Sequence, residues 1–168
     1  MKKNNVPILQ KIIAYLVICL SVFTFAILRT QKIEKVKTKE NELFMQLESL
    51  LTDSLYYLYN DNLEEEIKGN IIHPDYIPTL RNKFKTTNEV LKESNMSLTS
   101  IGLSKNRIYN TKKDSIKYII YDGLVELKWT SKEYDVETDT ETKHITGYII
   151  QNDDGYHLAN IDIKAQEK

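Results

Sequence analysis

Residues Ile12–Leu28 (IIAYLVICLSVFTFAIL) form the longest apolar stretch of the chain and carry no charge over 17 residues. Tyr15, Ser21 and Thr24 are its only polar interruptions, with Cys19 counting as nearly apolar. As an α-helix rising 1.5 Å per residue, such a stretch covers about 26 Å, close to the hydrocarbon thickness of a bilayer. A helix can cross there alone because its backbone polar groups are satisfied internally. The pattern predicts a transmembrane helix over 12–28, anchored by Ile12, Leu16, Leu20, Phe23 and Leu28. Other readings fit less well. A cleaved secretory signal has support from Lys2, Lys3 and Lys11 and from the small residues near Thr24-Phe25-Ala26, but Ile27-Leu28 continue the apolar run past that point. A lipoprotein signal ending at Cys19 would place the bulky Ile18 where a small residue belongs. A buried core helix is seldom apolar all round and flanked by bases such as Lys11 and Arg29.

The next segment is polar and free of Gly and Pro. Residues 29–41 read as a helical stalk, with Ile33 and Val36 its only apolar positions and Lys32–Asn41 solvated. The pattern then tightens. Phe44, Leu47, Leu51, Leu55 and Leu58 step by 3, 4, 4 and 3, one face of a helix over Glu42–Tyr59, widened by Leu43, Leu50 and Tyr57. A coiled coil is the alternative, but its series breaks at Glu40 and Ser54. Asn60-Asp61-Asn62 interrupts the helix. Leu63–Lys68 reads as a short second helix, capped by Asp61 or Asn62 and closed by Gly69; Glu64, Glu65 and Glu66 suit the positive end of its dipole better than they suit an ion site. Ile71–Asp75 reads as a loop whose Pro74 requires an extended residue before it. Pro78 suits the first position of a third helix, with Leu80, Phe84 and Leu91 on one side.

After Ser94 the period becomes 2. Met96, Leu98 and Ser100 alternate, as do Ile116, Tyr118 and Ile120, while Val125, Leu127 and Trp129 alternate on the opposite parity. The change falls at Asp122-Gly123, which is either a tight hairpin turn or a bulge. Leu124–Val136 reads as a long strand, Glu137–Glu141 as turn-like, Lys143–Gln151 as a strand, Asn152–Gly155 as a tight turn and Tyr156–Lys164 as the last strand. Helices followed by an antiparallel meander of four or more strands predict an α+β domain over 42–164, with about three helices covering a curved sheet, and 165–168 as a tail.

Charge and composition narrow the partners. From Thr30 onward there are 19 basic and 24 acidic residues, a net charge of −5, which argues against a nucleic-acid surface. The single cysteine lies in the apolar run, so neither an intramolecular disulfide nor a cysteine zinc site can form. Heavy use of Lys, Asn and Ile has a bacterial look. Basic residues flank the span on both sides: Lys2, Lys3 and Lys11 before it, Arg29, Lys32, Lys35, Lys37 and Lys39 after it. The positive-inside rule is nearly balanced, and a short tail before a long body favours residues 1–11 as a cytoplasmic tail with the body outside the membrane.

The order helix, short helix, loop, helix, meander resembles the NTF2-like α+β cone over residues 42–164. Two stretches carry the resemblance: Leu58–Leu80 (LYNDNLEEEIKGNIIHPDYIPTL), similar to the second-helix region of such domains, and Asp153–Ile163 (DDGYHLANIDI), similar to their last strand. A single span before a small body of this kind also resembles the VirB8-like components of conjugative type IV secretion machines, including the short forms of Gram-positive elements. The resemblance implies a non-catalytic scaffold that self-associates and binds other envelope proteins. The chain lacks the Asn-Pro-x-Gly segment that Gram-negative members often carry. The NTF2-like resemblance also implies a pocket between helices and sheet, which some members use for catalysis or for small ligands.

Catalytic chemistry is hard to place. His73 could act as a base with Asp75, but a solvated loop histidine explains it as well. The hairpin at Asn152–Gly155 places His157 near residue 150 and His144 near residue 163, so the two are not cross-strand partners. No metal-ligand spacing, Gly-rich phosphate loop or nucleophile motif occurs, and no cofactor is indicated. Phe44, Leu55, Tyr59, Trp129, Tyr148 and Tyr156 are the residues expected to form the core or line a pocket. The sequence thus predicts a membrane-anchored scaffold whose partners are the bilayer, other envelope proteins and further copies of itself. A tethered ligand-binding or enzymatic cone is the alternative.

Overall fold

The computed structural model describes residues 8–60, 69–131, 133 and 136–165. The chain divides into two compact units, Met1–Leu43 and Phe44–Lys168. Helix α1 spans Ile8–Asn60, 53 residues without a Gly or Pro to break it, and contributes to both. In the first unit every side chain described from Ile13 to Glu42 is exposed. In the second, Leu47, Leu51 and Leu55 have no exposure at all and Leu58, Tyr57 and Tyr59 join them, as their helical spacing predicts. Ser54 is buried on the same helix and donates its hydroxyl hydrogen bond to Leu50 O at 2.7 Å, so that it enters the core without an unmet polar group.

The short helix expected over Leu63–Lys68 lies outside the described residues. Residues 69–71 are helical. Ile72 then makes a single parallel bridge to Leu158, and His73 takes the extended conformation (φ −60°, ψ 129°) that Pro74 demands. Pro74–Tyr76 form a 3-10 turn leading into α2, Ile77–Glu93, whose second residue, not its first, is Pro78. Leu80 and Phe84 are its buried residues. Asn95, at φ 53°, ends α2 in the left-handed conformation that Asn tolerates, with its N–H donating to Lys92 O at 3.1 Å. Polar contacts fix α2 in place: Arg81 to Tyr57 Oη at 3.0 Å, Asn88 to Leu58 O at 2.7 Å, and Lys83 to Asp162 and the carbonyl of Ile161.

Among the described residues four antiparallel strands follow in sequence order: β1 Met96–Lys113, β2 Ile116–Ser131, β3 Val136–Asn152 and β4 Gly155–Ala165. The α+β class expected from the sequence holds. Three strand boundaries differ from expectation. Asp122-Gly123 is not a turn; it lies inside β2, whose register against β3 runs unbroken from Ile119 to Trp129. The parity change therefore places Ile116, Tyr118 and Ile120 on the sheet face opposite to that of Val125, Leu127 and Trp129, while the bulge here belongs to β1, where the register slips between Lys105 and Arg107. The first hairpin turns instead at Asp114 and Ser115, both at positive φ (49° and 68°), as a two-residue turn between Lys113 and Ile116 requires. Glu137–Glu141 is strand, paired from Thr130↔Glu137 to Leu127↔Glu141, and β2 stops at Ser131. The acids there alternate with Thr138, Thr140 and Thr142, whose β-branched side chains suit an extended backbone better than a turn. The turn at Asp153-Asp154 forms as expected, with Gly155 at φ 130°.

One face of the sheet packs on α1. A side-chain carbon added at Gly147 would lie 2.7 Å from Leu51 Cδ2, so glycine is what allows helix and strand to close there. Ile145, Ile149, Tyr121, Val125 and Leu127 share this face and are fully buried.

Candidate functional site

Two features stand out, one in each unit. The first is the apolar part of α1. Tyr15 to Leu28 are exposed throughout, including Leu16, Leu20, Phe23 and Leu28; the side chain of Ile12 lies outside those described. Two of the three hydroxyls in the run are satisfied within the helix: Ser21 donates to the carbonyls of Ile18 and Val17 at 2.8 and 2.9 Å, and Thr24 to Leu20 O at 2.7 Å. An apolar surface whose aliphatic hydroxyls, at Ser21 and Thr24, turn inward onto their own backbone suits a lipid environment. By length and composition, this is the one helix among the described residues that is able to cross a membrane.

The second feature is a cleft of about 340 Å³ where α2 meets the sheet. Tyr59, Trp129, Val90, Leu91 and Met96 line it, with Asp139 and Glu141 beside them. Tyr59 stands edge-on to Trp129 at 5.2 Å and to Phe84 at 5.0 Å, so most of each ring is spent on the core and only its rim meets the cleft. Burial, and secondarily the Glu141 carboxylate, push the Tyr59 hydroxyl up to about 12. It is therefore a neutral hydrogen-bonding group and a poor base at neutral pH. Glu141 is held by Lys143 at 2.6 Å.

Of the six residues expected to form a core or pocket, only Tyr59 and Trp129 meet in this cleft. Leu55 is fully buried. Phe44 stacks on Tyr121, centroids 6.3 Å apart, under the Lys105 ammonium, beside β2 residues well upstream of Trp129. Tyr148 follows Gly147 and so lies on the sheet face away from α1, where it meets Tyr118 edge-on at 6.3 Å. Tyr156 is half-buried beside the β3–β4 turn, opposite Gln151.

The histidines are placed less simply than their sequence contexts suggest. His73 is not a solvated loop residue: its N–H bonds Leu158 O at 2.9 Å, drawing the ring against Tyr76 and against His157, whose centroid is 6.2 Å away. Its Nδ1 lies 3.8 Å from Asp75. A bulge in β4 near Ala159 shifts His144 opposite Lys164 and leaves His157 opposite Ile150. His144 instead joins an ionic cluster that sequence reasoning missed. Asp122, largely buried, accepts a hydrogen bond from Arg107 Nε at 2.8 Å, and His144 Nε2 lies 2.7 Å from its other oxygen, the two partners coming from the strands on either side. The signal was present as an acid at the parity change of an otherwise apolar strand, and its partners are supplied by pairing across three strands. Among the described residues no group of three or more metal-ligating side chains converges.

No family model matches the chain, and no curated protein matches it significantly. Among solved structures, the intermembrane space region of chloroplast protein ARC6 aligns at 9% identity and a TM-score of 0.35, covering 73% of this chain and 96% of that one. A likeness at that level carries no argument about fold or function.

The tyrosines supply a testable pH dependence. Burial, then Glu48, also pushes Tyr121 up to about 12. The folded form holds these protons more tightly than the unfolded chain, where a tyrosine releases its proton near 10. The associated stability is therefore complete below about pH 10 and is lost as the pH rises from about 10 to about 12. Detergent-solubilised protein followed by far-ultraviolet circular dichroism and tyrosinate absorbance is expected to unfold in that window. The variant Tyr59→Phe, lacking one such proton, should unfold at higher pH than wild type; an unchanged midpoint would refute the assignment.

Proposed function

We propose that this chain is a membrane-anchored scaffold of a cell-envelope assembly, with its second unit outside the membrane and engaged with other proteins. The observation that carries the reading is the exposed apolar helix surface with the Ser21 and Thr24 hydroxyls turned onto their own backbone. The finer reading is that the second unit is an NTF2-like domain, and that the assembly is a conjugative type IV secretion machine of which this is a VirB8-like subunit. It is supported by the order of elements and the stretches Leu58–Leu80 and Asp153–Ile163, and it accords with a cleft whose aromatic residues are committed to packing.

The test is crosslinking in intact cells that express the full chain, followed by solubilisation and mass spectrometry, with protease added from outside to report the side. Recovery of envelope subunits or of a second copy, with the body digested in intact cells, supports the proposal. A strictly monomeric body with no partner, or one protected from external protease, refutes it. The second reading, a tethered small-ligand binder, rests on the cleft at Tyr59 and Trp129. Saturable quenching of the single tryptophan by a small-molecule set would favour it.

A further inference from the structure

The β1–β2 hairpin is the most unlike its surroundings of any part of the second unit. Residues 105–117 (KNRIYNTKKDSIK) hold five bases and one acid, whereas the rest of 44–168 holds ten bases and twenty acids. Two of the five bases are occupied: Lys105 sits over the Phe44 ring, and Arg107 pairs with Asp122. Lys112, Lys113 and Lys117 are exposed and make no ion pair among the described residues. Beside them are two large exposed apolar side chains, Tyr109 at 41% and Ile116 at 37%. The Arg107 guanidinium lies over the Tyr109 ring, 4.9 Å from its centroid.

Lysines on an edge strand also keep it from pairing with other chains, and β1 is such an edge. That role does not call for an exposed tyrosine and isoleucine among the lysines. Bases interleaved with an aromatic and an aliphatic side chain, on a tip held rigid by a tight turn, are the composition of an interfacial membrane contact. The bases attract anionic headgroups, and the apolar groups settle at the headgroup boundary.

Position agrees with composition. Phe44, the first residue of this unit, lies against Tyr121 and Lys105, so the chain enters at the end of the sheet from which this hairpin extends. Only residues 29–43 separate the apolar run from Phe44. Even fully extended, they keep Phe44 within roughly 55 Å of the bilayer, so the hairpin meets lipid at a high effective concentration. We infer that the β1–β2 hairpin is a second membrane contact, docking Lys112, Lys113, Lys117, Tyr109 and Ile116 onto an anionic lipid surface. The β3–β4 turn at the same end carries Asp153 and Asp154. An anionic surface repels it.

The inference rests on the anchoring proposed above, and the test separates the two. The full chain carrying Cys19→Ser and Ser115→Cys, labelled with an environment-sensitive dye, is incorporated into nanodiscs of phosphatidylcholine alone or mixed with phosphatidylglycerol. A companion carries the dye at Asp154→Cys. Quenching of the Ser115→Cys dye by spin-labelled lipid is expected to be at least threefold stronger in the anionic discs and to fall with salt. The Asp154→Cys dye should not respond. The contact should weaken by about fivefold for each lysine removed, so Lys112→Glu/Lys113→Glu/Lys117→Glu should abolish the difference. Equal quenching in both discs, or quenching insensitive to the three charges, overturns the inference. So does a Ser115→Cys dye that answers to an added oligonucleotide or acidic peptide in neutral discs but not to anionic lipid. Failure of the chain to enter discs at all removes the anchoring and this contact together.

Discussion

Gly123→Val is expected to prevent the second unit from folding. A side-chain carbon at this position would lie 2.3 Å from the carbonyl oxygen of Ser104 and 3.1 Å from Tyr121 Cε1. The obstacle is backbone. Ser104 is paired within β1, next to the bulge at Lys105/Arg107, and cannot move without disturbing the register of both strands. Tyr121 cannot yield either, since it is fully buried beneath Phe44. Overpacking in a well-packed region costs about 1–3 kcal/mol where side chains can adjust. Against backbone, Gly123→Ala should cost at least the upper part of that range, and the further methyls of valine should exceed much of the roughly 5–15 kcal/mol that holds a domain together. Gly102→Ala is the control, because its new carbon would meet only Glu126 Cβ at an ordinary 3.7 Å; it should stay within about 0.5 kcal/mol of wild type. Guanidinium unfolding in detergent, read by the emission of Trp129, the only tryptophan and 4% exposed, measures all three. A Gly123→Val protein with a wild-type midpoint would show that the bulge is not as drawn.

That glycine also marks where the sequence could be read and where it could not. Leu47, Leu51, Leu55 and Leu58 announce their helix because the 3.6 period is local, and each step is visible within two turns. The parity change at Asp122-Gly123 is visible too, but not that β2 runs straight through it with its apolar residues passing to the other face, nor that a bulge lies opposite. A bulge belongs to a pair of strands, and the extra residue here sits in β1, in a stretch whose polar residues hide its strand character. The same holds for the Arg107–Asp122–His144 cluster: its members are 15 and 22 residues apart along the chain and become neighbours only through the register. Glu137–Glu141 looked like a turn because acids dominate it, while the threonines between them were the better guide. The apolar run at Ile12–Leu28 needed no tertiary information, since solvation of a single helix is decided by its own side chains.

Leu20→Lys/Phe23→Lys is expected to release the protein from membranes. Leu20 and Phe23 lie near the middle of the apolar run and are 63% and 66% exposed, with no protein surface to shelter a charge. A lysine at the centre of a spanning helix opposes insertion by about 2.5–3.5 kcal/mol, and each lost Leu or Phe removes roughly a further 0.5 kcal/mol of favourable transfer. Snorkelling relieves little at Leu20, eight residues or about two turns from either end of the run, and relieves part of the cost at Phe23, five residues from Leu28. The combined cost of about 5 kcal/mol corresponds to a shift of more than roughly 10³-fold in the insertion equilibrium. Ile33→Lys/Val36→Lys introduces the same two charges at exposed positions already interleaved with Lys32, Lys35 and Lys37, and should leave the protein where it is. Alkaline carbonate extraction of cell membranes distinguishes them: the span variant is expected in the supernatant, the stalk variant and wild type in the pellet. An amino-terminal tag retained on the pelleted wild type would show that the run is kept as an anchor. If the span variant stays in the pellet, the apolar helix is not what holds this protein to the membrane, and a scaffold reading that depends on tethering falls with it.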